Sequence, residues 1–131
     1  MPYEIRHYAT LDVAEVRYHG VVTATDLCEA TAEALKLQRS NGVVRFLVNS
    51  ENWDIHATAE DIDQLLEREY QGGGLSRSTR IAVILPRSQT ARKVASMFEE
   101  ACRNRGWNAQ ICADRAAAME WLSSTSRSQY A

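Results

Sequence analysis

Apolar positions are densest between Thr79 and Pro86, TRIAVILP, where five consecutive apolar residues stand between polar ones. A run of that length is hidden most economically as a strand covered on both faces, which predicts an interior strand of a sheet. Burying Ile81, Val83, Ile84 and Leu85 contributes roughly 1.5–3 kcal/mol each before entropy is counted. A second run of the same kind spans Val43–Asn49, VVRFLVN, and a helix-patterned stretch lies between the two. Strand, helix, strand in that order predicts a parallel β-α-β unit.

The remaining pattern fills in around this pair. Tyr3 to Tyr8 alternates, with Tyr3, Ile5 and His7 on one side and Glu4 and Arg6 on the other, and predicts an edge strand. Leu11 to His19 predicts a second strand, joined to the first by so short a link that the pair must be antiparallel. Its apolar residues change face, which implies a bulge or burial on both sides. Gly20 is expected to end it. Thr23 with Asp26 opens a helix over Ala24 to Arg39, stopped at Asn41-Gly42, and Thr58 with Asp61 opens another that stops at Gln71 and three glycines. Between them, Ser50 to Ala57 is expected to be a polar turn. The clearest helical period runs from Ser88 to Arg105, through Ala91, Val94, Ala95, Phe98, Ala101 and Cys102. A strand at Trp107 to Cys112 and a short helix capped by Asp114 complete residues 1–122, leaving a polar tail, 123–131, expected to be disordered.

The expectation is therefore a single α/β domain of order ββαβαβαβα. Its sheet is mostly parallel with one antiparallel edge strand, and helices cover both faces. Ligands of such sheets bind beyond the carboxyl ends of the strands, where four connections meet at residues 20–25, 50–57, 86–90 and 113–115.

Composition narrows the function classes. At 131 residues there is room for one domain. A net charge of −2 without a clustered basic surface argues against nucleic acid as the main partner. Cys28, Cys102 and Cys112 are odd in number and scattered, which argues against a disulfide framework or a zinc site and for buried thiols. His7 and His19 have no ligand-spaced neighbours, so no metal and no cofactor is expected. No apolar run is long enough for a membrane span, and the cytoplasm is the expected location.

The stretches GVVTATDL, VVRFLVNS and RIAVILPRSQTARKVASMFEEACRNRGWNAQICADRAAAMEWL together resemble the SpoIIAA-like superfamily of STAS-type and CRAL-TRIO-like small α/β domains, over about Tyr3 to Leu122. That resemblance implies a non-enzymatic domain that works by binding. Anti-sigma-factor antagonists of this type carry, after the strand matched by Val43–Asn49, an aspartate-serine-rich loop whose serine a partner kinase phosphorylates. Here the loop reads Asn49-Ser50-Glu51-Asn52-Trp53, so of that switch only Ser50 carries over.

Candidate chemistry gathers in SENWDIH. Asp54 and His56, two apart, share a side in an extended segment, so the carboxylate is able to orient the imidazole; no GxSxG elbow accompanies them. Capping and surface hydrogen bonding are the favoured reading of the pair. Trp53 is a candidate docking anchor, or an aromatic folded over a neighbouring helix. Arg87 and Ser88, opening a helix after Pro86, are candidate anion binders, although an ordinary N-cap accounts for Ser88. Ligand or partner binding is thus placed on Ser50, Trp53, His56, Arg87 and Ser88, with a protein or small ligand as partner and a homodimer as one form of it. Two alternatives stand beside this: a carrier of a small apolar or lipid-like molecule between sheet and helices, and a small enzyme using Asp54 and His56.

Overall fold

The computed structural model describes residues 2–124. Its sheet has five strands in the order β1-β2-β3-β4-β5: β1 Tyr3–Tyr8, β2 Val13–Thr23, β3 Arg45–His56, β4 Arg80–Ile84 and β5 Asn108–Cys112. β1 pairs with β2 antiparallel, and every other pairing is parallel. The helices are α1 Ala24–Asn41, α2 Ala59–Leu65, α3 Gln89–Asn104 and α4 Arg115–Ser123. This is the expected order, with TRIAVILP in the interior: β4 is paired on both sides, and Ile81, Ala82, Val83 and Ile84 are all buried.

Each crossover from β2 to β5 lays its helix on the same face. Ala14, Val16, Phe46, Ile81 and Val83 pack there against Leu27, Ile62, Leu65, Val94 and Ala95. Among the described residues only α4 covers the other face, where Ala118 and Leu122 seal Val13, Leu47, Ala82 and Ile84. Helix starts follow the side-chain chemistry. Thr23 and Thr58 each form a full capping box with the aspartate three residues on, and Ser88 and Asp114 each cap the amide three residues on. Inside, the buried Gln38 amide donates to the Val43 carbonyl and to Thr79 Oγ1, both at 3.0 Å, and its oxygen accepts from the Ser76 amide, tying α1 to the starts of β3 and β4.

The structure corrects four expectations. β2 starts at Val13, because Leu11 and Asp12 form the tip of the hairpin, with Asp12 at φ +55. Gly20 does not end β2. It sits inside the strand at φ +68, a conformation glycine adopts without strain, and pairs with Trp53. Ser50 to His56 is not a turn but the second half of β3, paired with His19–Thr23. Between Arg17 and His19 the register slips: β2 advances two residues while β3 advances three, so Ser50 and Glu51 stand opposite Tyr18. Finally, the second helix changes type midway, α2 continuing as a π-helix over Leu66–Gln71. Of the residues expected in the tail, Ser123 ends α4, and Arg80 donates to the Ser124 carbonyl at 2.6 Å and hydroxyl at 3.0 Å. The rest of it, 125–131, lies outside the described residues.

Val83 is 2% exposed. Val83→Asp places a carboxylate there without a partner and is expected to cost roughly 4 kcal/mol or more. Urea unfolding followed by circular dichroism measures this; a cooperative transition within about 1 kcal/mol of the parent contradicts the interior placement.

Candidate functional site

The extra residue in β3 decides what the carboxyl edge presents. Before the slip, Phe46 and Val48 face the three-helix layer; after it, the inward positions are Trp53 and Ile55. Asn52, Asp54 and His56 consequently face outward and are exposed. Across the ladder, His19 pairs with Asn52, Val21 with Asp54 and Thr23 with His56. The end of the β2–β3 ribbon thus carries an outer face of His19, Val21, Asn52, Asp54 and His56. Val21, 58% exposed, is one of two large apolar side chains left open to solvent among the described residues.

The sequence-derived candidates separate accordingly. Asp54 and His56 do share a side, with Nε2 of the imidazole 3.3 Å from the carboxylate, and both are more than half exposed. Arg87 is also exposed; its amide donates to the Glu51 carbonyl at 3.2 Å, and its guanidinium lies 3.5 Å from the Glu51 carboxylate. Ser50 is fully buried and donates its hydroxyl to the Ile84 carbonyl at 2.9 Å, so it pins the slip from within. Ser88 is exposed and its hydroxyl oxygen accepts from the Ala91 amide at 3.1 Å. Trp53 turns inward, its ring 5.1 Å from that of Tyr18, with an indole N–H buried and without a partner. The three cysteines are free, and burial pushes the Cys102 thiol up to about 12. Among the described residues no three histidine, cysteine or acidic side chains gather as a metal site would require.

Two features escaped the sequence. The first is Glu15, wholly buried yet charged, on the same sheet face as the outer ribbon residues. Arg115 donates to it at 2.7 Å, the Tyr8 hydroxyl at 2.9 Å, Asn49 at 3.0 Å and Arg17 at 3.4 Å. Burial drives its pKa up, but the hydrogen bonds from Asn49, Arg115 and Tyr8 outweigh this and hold it below the ordinary value. Its donors come from β1, β2, β3 and α4, as far as 100 residues away, and no local pattern announces them. The one trace is a charge inside the apolar run of β2.

The second is a pair of cavities under the three helices, of about 50 and 40 Å³. Tyr18, Thr31, Val48 and Tyr70 line both. Tyr70 comes from the π-helical segment and meets Phe98 and Trp107 edge-on at 6.2 and 5.8 Å. At Gly73, just past that segment, a Cβ would strike the Glu69 carbonyl and Leu35, so the chain closes on α1 only with glycine there. Ordinary ligand pockets start at roughly 300 Å³. Neither cavity has room for an acyl chain.

A family model described as SpoIIAA-like matches residues 13–123. The chain is also similar to a solved structure titled as the anti-sigma factor antagonist SpoIIAA in its unphosphorylated form. The TM-score is 0.57 at 16% identity, over 94% of this chain and 99% of that one. At such identity the likeness establishes the fold. A search of curated proteins gives no significant match. Among the described residues no helix is long and apolar enough to cross a membrane.

Because the folded pKa of Glu15 is depressed, its contribution to stability is present above the unfolded value of 4.5 and is lost as the pH falls through the folded value. The stability difference between the parent and Glu15→Gln, from urea unfolding, should be largest near about pH 7 and shrink below about pH 4.5. A difference that stays constant down to about pH 3 contradicts the assignment.

Proposed function

The chain belongs to the SpoIIAA-like family, and from that premise we propose that it is a protein-interaction module whose docking surface is the outer face of the β2–β3 ribbon. The observation carrying this is the exposed Val21 set among polar His19, Asn52, Asp54 and His56, an apolar centre with a polar rim. Arg87 and Glu51 flank it at the base of the ribbon. The solved relative, by its title, antagonises a protein factor, which is work done through a protein contact.

This reading favours binding over catalysis at Asp54 and His56. Both side chains stand in water, and among the described residues neither is hydrogen-bonded to a hydroxyl or thiol, whereas exposed charge that sets orientation and on-rate suits a rim. Ser50 contributes by holding the slip and Ser88 by capping α3, so their part in docking is to support the residues that touch the partner. A regulatory role in the cytoplasm, and a second copy of the chain as partner, both fall within the same proposal.

A photo-crosslinking amino acid at position 21 or 56 is expected to give discrete protein adducts in the host cell, identifiable by mass spectrometry, that Asp54→Lys abolishes. The same group at position 100, exposed on α3, should give none. An adduct of twice the chain mass identifies the homodimer. Absent adducts at both ribbon positions, or the same adducts from position 100, overturn the proposal. Asp54→Lys should leave the melting temperature within about 2 °C, since surface changes cost little.

A further inference from the structure

At the amino end of the sheet, away from the ribbon face, two like charges stand side by side. Arg45 opens β3 and Arg80 opens β4, and the register sets them directly opposite each other, with Asn108 of β5 next in the row. Each lies two positions before a residue of the α4 face, Leu47 and Ala82, so both side chains belong to that face. Strands are roughly 5 Å apart, and like charges placed opposite one another repel. Nothing local offsets this, since among the described residues neither arginine forms an ion pair with a carboxylate. Arg80 is also held in place. Its guanidinium lies 4.3 Å from the centre of the Trp121 ring, and Nη1 and Nη2 donate to the Ser124 carbonyl and hydroxyl at 2.6 and 3.0 Å. A guanidinium has five N–H bonds, and here Nε–H is buried without a partner. Burial, and then Arg45, hold the pKa of Arg80 below its ordinary value. The row is thus rich in donors and positive charge and holds no negative charge.

We infer that Arg45 and Arg80 form a binding site for a phosphoryl dianion, either inorganic phosphate or the terminal group of a phosphate monoester. Its oxygens accept from the Arg45 guanidinium and from the Arg80 N–H bonds that Ser124 leaves free. Charge decides the class of anion. A carboxylate or a phosphodiester carries a single charge and neutralises one guanidinium, whereas a monoester carries about −1.5 to −2 with three acceptor oxygens and matches the pair. Because Trp121 and Ser124 fix Arg80 beforehand, little side-chain freedom is lost there on binding. The Asn108 carboxamide, next in the row, offers a further donor. Along β3 the site lies roughly 30 Å from Asp54, so it stands independently of the docking surface.

The full chain, labelled with nitrogen-15, is titrated at about pH 7.5 with inorganic phosphate, methyl phosphate and acetate, each at constant ionic strength. The backbone amide resonances of Arg45, Arg80 and Ser124 should shift and saturate with both phosphates, and acetate should bind about tenfold more weakly. Tighter binding of methyl phosphate identifies a monoester as the source, and tighter binding of phosphate the free ion, both within the inference. Arg45→Gln leaves the Trp121 and Ser124 contacts of Arg80 in place and should weaken phosphate about tenfold. Arg77→Gln removes an exposed guanidinium that stacks on Trp107 instead, and should leave phosphate binding unchanged. Phosphate binding no tighter than that of acetate, undiminished binding in Arg45→Gln, or an equal loss in Arg77→Gln overturns the inference.

Discussion

One inserted residue governs the working half of this molecule. Where Ser50 and Glu51 face the single residue Tyr18, the alternation of β3 reverses, and everything beyond it changes sides. Without that slip, Asp54 and His56 would be driven under the helices and Trp53 and Ile55 into water, an exchange that costs on both sides of the sheet. The slip is fixed by a bond that water cannot contest: the Ser50 hydroxyl, fully buried, donates to the Ile84 carbonyl on the neighbouring strand. A serine in an otherwise apolar layer is therefore part of the register rather than of the surface.

The two faces of the sheet then take different work. Under the helices the layer is apolar and slightly underfilled, with Trp53, Tyr18 and Tyr70 around small cavities. On the other face α4 covers only the far strands, and the gap between it and β1 is closed by Glu15 with its donors. A buried carboxylate is tolerable there because several polar groups converge on it, one of them the Arg115 guanidinium at the start of α4. The same cluster joins the hairpin, the middle strand and the last helix, so the sheet end that carries the outer ribbon face is braced by charge rather than by a second helix.

Much of the architecture was legible in the chain. The run at Ile81–Ile84 has no polar position, so its burial on both faces followed from composition alone, although Leu85, expected to be buried with it, lies past the end of β4 and is only half-buried. The Thr23–Asp26 and Thr58–Asp61 pairs marked helix starts that the structure keeps. The carboxyl edge was legible only in part. Asp54 and His56 were found because they are two apart and the segment is extended, but Ser50–His56 read as a turn because a slip in register breaks the period that identifies a strand. Gly20 read as a stop for a related reason, since a glycine inside a strand and one ending it look alike in sequence. Glu15 and the Tyr70 wall depend on residues brought together by the whole fold, so no window of sequence contained them.

The account rests on the orientation of residues 52–56, and cysteine scanning reads that orientation directly. In a background where half-buried Cys28 is replaced by alanine, single cysteines at positions 52 to 56 are reacted with a thiol reagent under native conditions. Fast labelling at 52, 54 and 56 with slow labelling at 53 and 55 is the result predicted. Uniformly fast labelling, or the reverse alternation, would contradict the slipped strand and with it the surface it presents.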